Sequence, residues 1–243
     1  MNQNNSLAIV LAAGKGTRMN QTVPKPLVPV YQKPIISWTI ESFQKNNVDI
    51  TIVINPEFEF FFDSYTKAAQ FVYQEKQLGT GHAVLQASEL IKNYDHVFVF
   101  VGDSPFVDQK LISEMYLQHT TNNNDATILT SVFDGRKFPY ARIIRNNKGN
   151  INKVIEEIDA SQIERASNEL FGSHYLFNSE ILYNYLSRLV KNPKTGEIYF
   201  TDILNELIID DKKLGSLVVD DWRKLVGLNN REDIDWAESQ KMI

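Results

Sequence analysis

Short uninterrupted apolar runs alternate along the chain with stretches whose apolar residues recur every three or four positions. LAIVLA at 7–12 has no polar interruption, as a strand buried on both faces requires. The stretch 33–46 sets Ile36, Ile40 and Phe43 on one helical face, with Pro34 suited to a first turn. ITIVI at 50–54 predicts a second strand, and Val84, Ala87 and Ile91 predict a helix over 79–92. A β-rich run at 96–103 follows, then a helix over 108–119 with Asp108 as N-cap, then a strand over 125–133. This βαβα rhythm predicts a Rossmann-like α/β fold with a doubly wound, mostly parallel sheet.

Beyond residue 133 the rhythm loosens. Strands are predicted at 140–145, 151–158 and 170–177, joined by turns such as NNKGN, with helices at 179–191 and 201–210 and a strand at 216–220. REDIDWAESQKMI at the end reads as a final helix. No repeat, low-complexity tract or domain-separating linker interrupts the chain. The expectation is one domain over 1–243, with a nucleotide-binding half at 1–133 and a sugar- or ligand-specific half at 134–243.

The 243 residues, 43% of them hydrophobic, are enough for one sizeable core. The absence of cysteine excludes disulfides and thiolate-bound metals. The polar start and the strand-length apolar runs predict no secretory signal and no membrane span, with a cytoplasmic location as the default. A net charge of −5 argues against nucleic-acid binding as the main role. Its distribution says more: residues 1–40 hold no acid at all, where the overall composition would place about five. The same segment carries Lys15, Arg18, Lys25 and Lys33, a pattern suited to facing a polyanionic small molecule.

At the end of the first strand stands LAAGKGTRMNQTVPKPLVPV, residues 11–30. Gly14-Lys15-Gly16 begins like a dinucleotide fingerprint, but Met19 occupies the third glycine position, where a helix should pack closely on the strand. No Walker A pattern is present either. What remains is a strand-to-glycine turn with backbone N–H groups free to face an anion, plus two cations. A turn of this kind is as often structural as functional.

Its continuation resembles the signature of sugar-1-phosphate nucleotidyltransferases, in particular the uridyltransferase domain of bacterial N-acetylglucosamine-1-phosphate uridyltransferases. The similarity recurs at 74–83 (QEKQLGTGHA), 101–105 (VGDSP), 154–160 (VIEEIDA), 196–204 (GEIYFTDIL) and 227–233 (GLNNRED). The resemblance implies that a sugar-1-phosphate attacks the α-phosphorus of UTP and that pyrophosphate leaves. It assigns Arg18 and Lys25 to catalysis, with Lys15 and Arg18 neutralising the triphosphate and the Pro-flanked Lys25 at the reacting centre. It sets the nucleotide against Leu11, Ala12, Ala13, Gly14 and Lys15, and against Gly102 and Asp103. Gln74, Gly79 and Thr80 match the base-recognition strip; Gly79 is equally suited to a helix entry. Asp103 lies just past an apolar strand, where ligands of open α/β sheets bind, and suits Mg²⁺. The resemblance gives Asn229 as the second metal ligand, although an Asn there also reads as a turn residue. His82 carries no assigned chemistry, and His96, His119 and His174 show no partner in the sequence.

The second half departs from the family pattern. Candidate sugar-binding positions are Ala141, where the family has Gly, Glu156, which matches, and Phe171, which stands in place of a sugar-contacting Asn. Ile158 replaces a lysine and Val101 a tyrosine. A phenyl ring cannot make an amide's hydrogen bonds. UTP use is therefore better supported than N-acetylglucosamine specificity. The alternatives are another sugar-1-phosphate, a phosphorylated alcohol, or a non-catalytic nucleotide-binding module; joint retention of Arg18, Lys25 and Asp103 argues against the last. The family's β-helical acetyltransferase region is not present in these residues, so neither acetyl transfer nor a trimer is expected, and a monomer or dimer is.

Overall fold

The computed structural model describes residues 5–14, 23–134 and 138–240. Lys15 and Arg18 lie outside these residues. In chain order the strands are β1 (Ser6–Leu11), β2 (Pro29–Val30), β3 (Lys33–Pro34), β4 (Asp49–Ile54), β5 (Gln70–Tyr73), β6 (His96–Val101), β7 (Ala126–Val132), β8 (Ala141–Arg145), β9 (Ile151–Ile155), β10 (Glu169–Asn178) and β11 (Leu214–Val218). The α-helices are α1 (Ile35–Gln44), α2 (Thr80–Gln86), α3 (Ser88–Ile91), α4 (Gln109–Thr121), α5 (Ser179–Leu186), α6 (Asp202–Ile209) and α7 (Arg231–Ser239).

The main sheet runs β11-β7-β10-β6-β1-β4-β5, with β8 pairing to β10 and β9 to β8. β1 pairs in parallel with both β4 and β6, which puts Leu11 opposite Val53 on one side and Val101 on the other. β10 is the main departure from parallel order: it lies antiparallel between β6 and β7. The uninterrupted β1 run follows from burial on both faces. Ala8 and Val10 enter one core beneath α1 and α4, with Ile36, Phe43 and Met115; Leu7 and Ile9 enter the other beneath α2, α5 and α6, with Val84, Leu182 and Ile203.

Asp108 caps α4 as its residue type predicts, accepting the Leu111 N–H at 2.9 Å. Two helices are shorter than their patterns suggest. The stretch 79–92 divides at Ala87, whose backbone (φ −94°, ψ 7°) leaves helical geometry. The helix predicted to 191 stops at Leu186. Downstream, Pro193 disfavours helical geometry at Asn192, whose side chain accepts the Lys194 N–H at 2.9 Å to form a turn instead. The strand predicted to 158 ends at Ile155. The aromatic stretch Pro56–Tyr65 forms 3-10 turns, started by Asn55 accepting the Glu57 N–H at 3.0 Å, and leads to the four-residue edge strand β5. Among the described residues no helix is long and apolar enough to cross a membrane.

Candidate active site

Strand order reverses at β1: the chain proceeds to β4 and β5 on one side, then returns to place β6 on the other. Such a switch point opens a crevice at the carboxyl ends of the strands. The Gly102 N–H donates to Leu11 O at 2.9 Å and closes the floor of this crevice. A Cβ on Gly102 would lie 2.9 Å from that same oxygen, so only glycine brings the β6 turn this close to β1.

Asp103 follows at once. Its carboxylate accepts a charge-assisted hydrogen bond from the Lys25 ammonium. Lys25 also donates to Asn229 Oδ1 at 3.0 Å. Three residues, from a short 3-10 turn (Lys25–Leu27), the end of β6 and the loop before α7, thus converge on one point. The loop is tied down by main-chain contacts. Leu228 N–H donates to Asp103 O at 2.8 Å, and Asn229 N–H donates to Asp233 Oδ2 at 2.8 Å. Asn229 Nδ2 reaches Gly227 O at 3.2 Å, and Gly227 N–H reaches the Tyr140 hydroxyl at 2.9 Å. Asp233 is itself set by the N-cap of α7, Asn230, which accepts its N–H at 2.9 Å.

Asp103, Asn229, Glu156 and Phe171 line a single cavity of about 160 Å³, together with Val101, Ser104, Pro139, Tyr140, Gly172, Ser173 and Gly227. Ala141 does not line it. It is 3% exposed and is the register partner of Phe171 on the neighbouring strand. Phe171 is 2% exposed and packs edge-on to Tyr175, with ring centroids 4.7 Å apart. Burial raises the Glu156 carboxyl above its usual range, partly opposed by a hydrogen bond with Thr201. Burial also raises Asp202, whereas the Lys194 partner lowers Asp159.

The predicted base strip lies on the other side of β1. Gln74 continues from β5, its N–H donating to Ile54 O at 2.8 Å. Its side chain is 3% exposed, and Nε2 is 3.0 Å from Gly79 O and 3.1 Å from His82 Nδ1. Gly79 (φ +105°) could not carry a side chain: a Cβ would collide with the main chain of Ile198. Thr80 Oγ1 accepts the Phe200 N–H at 3.0 Å. Ala12 and Ala13 are buried and Gly14 is exposed at the end of the β1 segment. The other histidines are internal: His119 bonds Thr127 Oγ1 at 2.9 Å and Asn178 Oδ1 at 3.0 Å, while His174 is fully buried with neither ring nitrogen hydrogen-bonded. Burial pushes each of these two down to about 4.

Sequence reasoning named Lys25, Asp103 and Asn229 but missed Tyr140 and Asp233. Asp233 had a readable signal in the Asn-x-x-Asp spacing of a helix start. Tyr140 had none, because its partner Gly227 is remote in sequence. Among the described residues no three His, Asp or Glu side chains form a metal cluster. Magnesium usually takes one or two protein oxygens and completes its shell with water and phosphate. Two hard oxygen donors already meet at one cation, so the residues fit such an ion. A larger cavity of about 620 Å³ lies elsewhere, between α1 and the start of α4. It holds no such convergence, and its acids Glu41, Asp108 and Asp221 are in ion pairs with Lys33, Lys224 and Arg223.

A family profile described as nucleotidyl transferase matches residues 7–236. Bifunctional protein GlmU of Acholeplasma laidlawii is 36% identical over 233 residues, covering 95% of this chain and 50% of its own length. GlmU of Acetivibrio thermocellus is 35% identical over 239 residues, covering 98% of this chain and 51% of its own length. GlmU of Desulfotalea psychrophila is 34% identical over 247 residues, covering 99% of this chain and 72% of its own length. The chain thus spans about half the length of the first two relatives. A crystal structure of 4-diphosphocytidyl-2C-methyl-D-erythritol synthase from Anaerococcus prevotii superposes with a TM-score of 0.67 at 14% identity, covering 99% of this chain and 100% of that one. It shares the fold, a mostly parallel sheet with flanking helices of the nucleotide-diphospho-sugar transferase type. On this match, which takes in Lys25, Asp103 and Asn229, the chain belongs to the nucleotidyl transferase family.

Proposed function

We propose that the chain transfers UMP from UTP to a sugar-1-phosphate, with N-acetylglucosamine-1-phosphate the first candidate, releasing pyrophosphate. The observation that carries this reading is the convergence of Asp103, Asn229 and Lys25 at the carboxyl ends of β1 and β6. The attacking phosphate oxygen is already ionised, so the site needs fixed positive charge more than a strong base. Lys25 supplies an ammonium at the reacting centre from a backbone restrained by Pro24 and Pro26. Lys15 and Arg18 are assigned to the triphosphate and the departing pyrophosphate. Asp103 and Asn229 would hold Mg²⁺, which supplies Lewis-acid stabilisation and a template for both phosphates. Gln74, Gly79 and Thr80, on the β4–β5 side, are assigned to the uracil end, and Glu156 with the Tyr140–Ser173 cavity to the acceptor.

The chain is read as a single catalytic unit working on small molecules in the cytoplasm, as a monomer or dimer, without nucleic acid or membrane. A second reading concerns the acceptor alone. Val101, Tyr140 and the largely buried Phe171 line the cavity and offer no amide at position 171, so another sugar-1-phosphate or a phosphorylated alcohol could be the preferred partner. Pyrophosphate release with UTP, Mg²⁺ and a panel of sugar-1-phosphates and alcohol phosphates tests both readings. Turnover with one acceptor identifies it. UTP binding without turnover on any acceptor would overturn the catalytic reading.

A further inference from the structure

The two oxygens assigned to the metal already hold a cation. Lys25 Nζ donates both to the Asp103 carboxylate and to Asn229 Oδ1, the latter at 3.0 Å. An ammonium and a magnesium ion cannot share that point. We propose that Lys25 is the resident cation of the nucleotide-free site, and that a divalent ion enters only together with phosphate oxygens that draw Lys25 away. This inference rests on the metal assignment made above.

Three features support the exchange. The first is charge. Lys25 neutralises Asp103, and the side chains are only 19% and 17% exposed, so water screens them weakly. A bare divalent ion would have to displace an ammonium from a single carboxylate and leave two cationic groups side by side. A nucleoside triphosphate brings enough negative charge to hold both.

The second feature is which partners can move. The Asp103 main chain is tied by its carbonyl contact with Leu228 and its carboxylate also accepts the Ser104 hydroxyl at 3.4 Å, while Asn229 is held by contacts with Asp233 and Gly227. Both oxygens thus keep tethers that do not involve Lys25. The third is the build of Lys25 itself. Its main chain sits between two prolines at the start of a short turn, but its ammonium rides on a flexible four-carbon stem. The charge can swing to a phosphate while the backbone remains in place. Metal and nucleotide binding are then positively coupled through one side chain, and the coupling is reciprocal.

The test is Mn²⁺ binding, followed by electron paramagnetic resonance of the free ion, in the absence of nucleotide. Lys25→Met, which keeps the stem and removes the charge, is expected to bind Mn²⁺ at least tenfold more tightly than the unsubstituted protein. Lys25→Gln serves if Lys25→Met does not fold, with circular dichroism as the check. Adding Asp103→Asn to either variant should abolish the gain, which ties it to this site. Equal Mn²⁺ affinity in the unsubstituted and Lys25 proteins would overturn the exchange. Water-proton relaxation with Mn²⁺ and UTP separates the two layers. Enhancement in the unsubstituted protein, alongside equal affinities without nucleotide, removes the exchange and keeps the metal site. No enhancement and no Mn²⁺ binding in any variant removes both.

Discussion

The two ends of the crevice are constructed differently. At the proposed metal end, position is set largely through main-chain groups: Gly102 N–H on Leu11 O, Leu228 N–H on Asp103 O, and Asn229 N–H on the Asp233 carboxylate. At the acceptor end the wall is made by side chains. Ala141 and Phe171 turn out to be buried sheet partners, and the Phe171, Tyr140 and Ser173 side chains line the cavity. The close approaches at Gly102 and Gly227 admit only glycine without displacement, whereas a side-chain wall can change one residue at a time. Of the departures from the family pattern, Val101 and Phe171 line the cavity and Ala141 pairs with Phe171, while Ile158 is exposed.

The largest effect should come from the metal end. Asp103→Asn keeps the shape but removes the charge, and should lower turnover by about 10²–10³-fold while the fold persists with a lower melting temperature. Pyrophosphate release across a magnesium titration, with a thermal melt, measures both. Unchanged turnover at limiting magnesium would refute the role of Asp103. Gly227→Ala comes next. The new Cβ would stand 2.8 Å from Asp103 Oδ1 and must push the carboxylate aside. A displacement of this kind should cost about 10²-fold in turnover. If activity is retained, backbone placement is less exacting than the comparison holds.

A third expectation concerns the fold on which both ends rest. His174, next to the cavity-lining Ser173, and His119, which meets His96 at the start of β6, are buried and held neutral down to about 4. Between that value and the ordinary 6.5 the unfolded chain binds more protons than the folded one. Stability is therefore full above pH 6.5 and falls as pH drops towards 4, by on the order of 3 kcal/mol for each histidine. Urea midpoints measured across this range check the direction. His119→Asn should flatten part of the slope; an unchanged slope would show that His119 is not responsible.

The legibility of the molecule divides along similar lines. β1 and β6 were readable because burial on both faces leaves an unbroken apolar run, β4 because only Thr51 interrupts one, and α4 because its cap and its apolar face agree. The break at Ala87 and the end of α5 were not, since no proline or glycine marks either point. Lys25 and Asp103 stood out through a proline-flanked lysine and an acid at a strand end. The ties that hold them did not, because Tyr140 to Gly227 and Leu228 to Asp103 join residues remote in sequence. Phe171 was legible as a departure, but its burial in the core depends on strand register, which a residue type does not specify.

Tyr140→Phe tests the boundary between the two ends with the smallest change. The tyrosine ring stacks on Phe138 at 5.1 Å, and a phenylalanine keeps that packing. Only the hydroxyl that accepts the Gly227 N–H is lost. Leaving that group without its partner should cost about 1 kcal/mol, roughly a fivefold fall in kcat/KM. Asn229 keeps its contact with Asp233, and Asp103 keeps Leu228, so Mn²⁺ affinity in the presence of UTP should be unchanged. The loss should then appear as a higher acceptor KM, because Tyr140 lines the cavity proposed for the acceptor. A weaker metal affinity with an unaltered acceptor KM would mean that the aromatic wall, and not the main chain alone, holds the metal ligands in place.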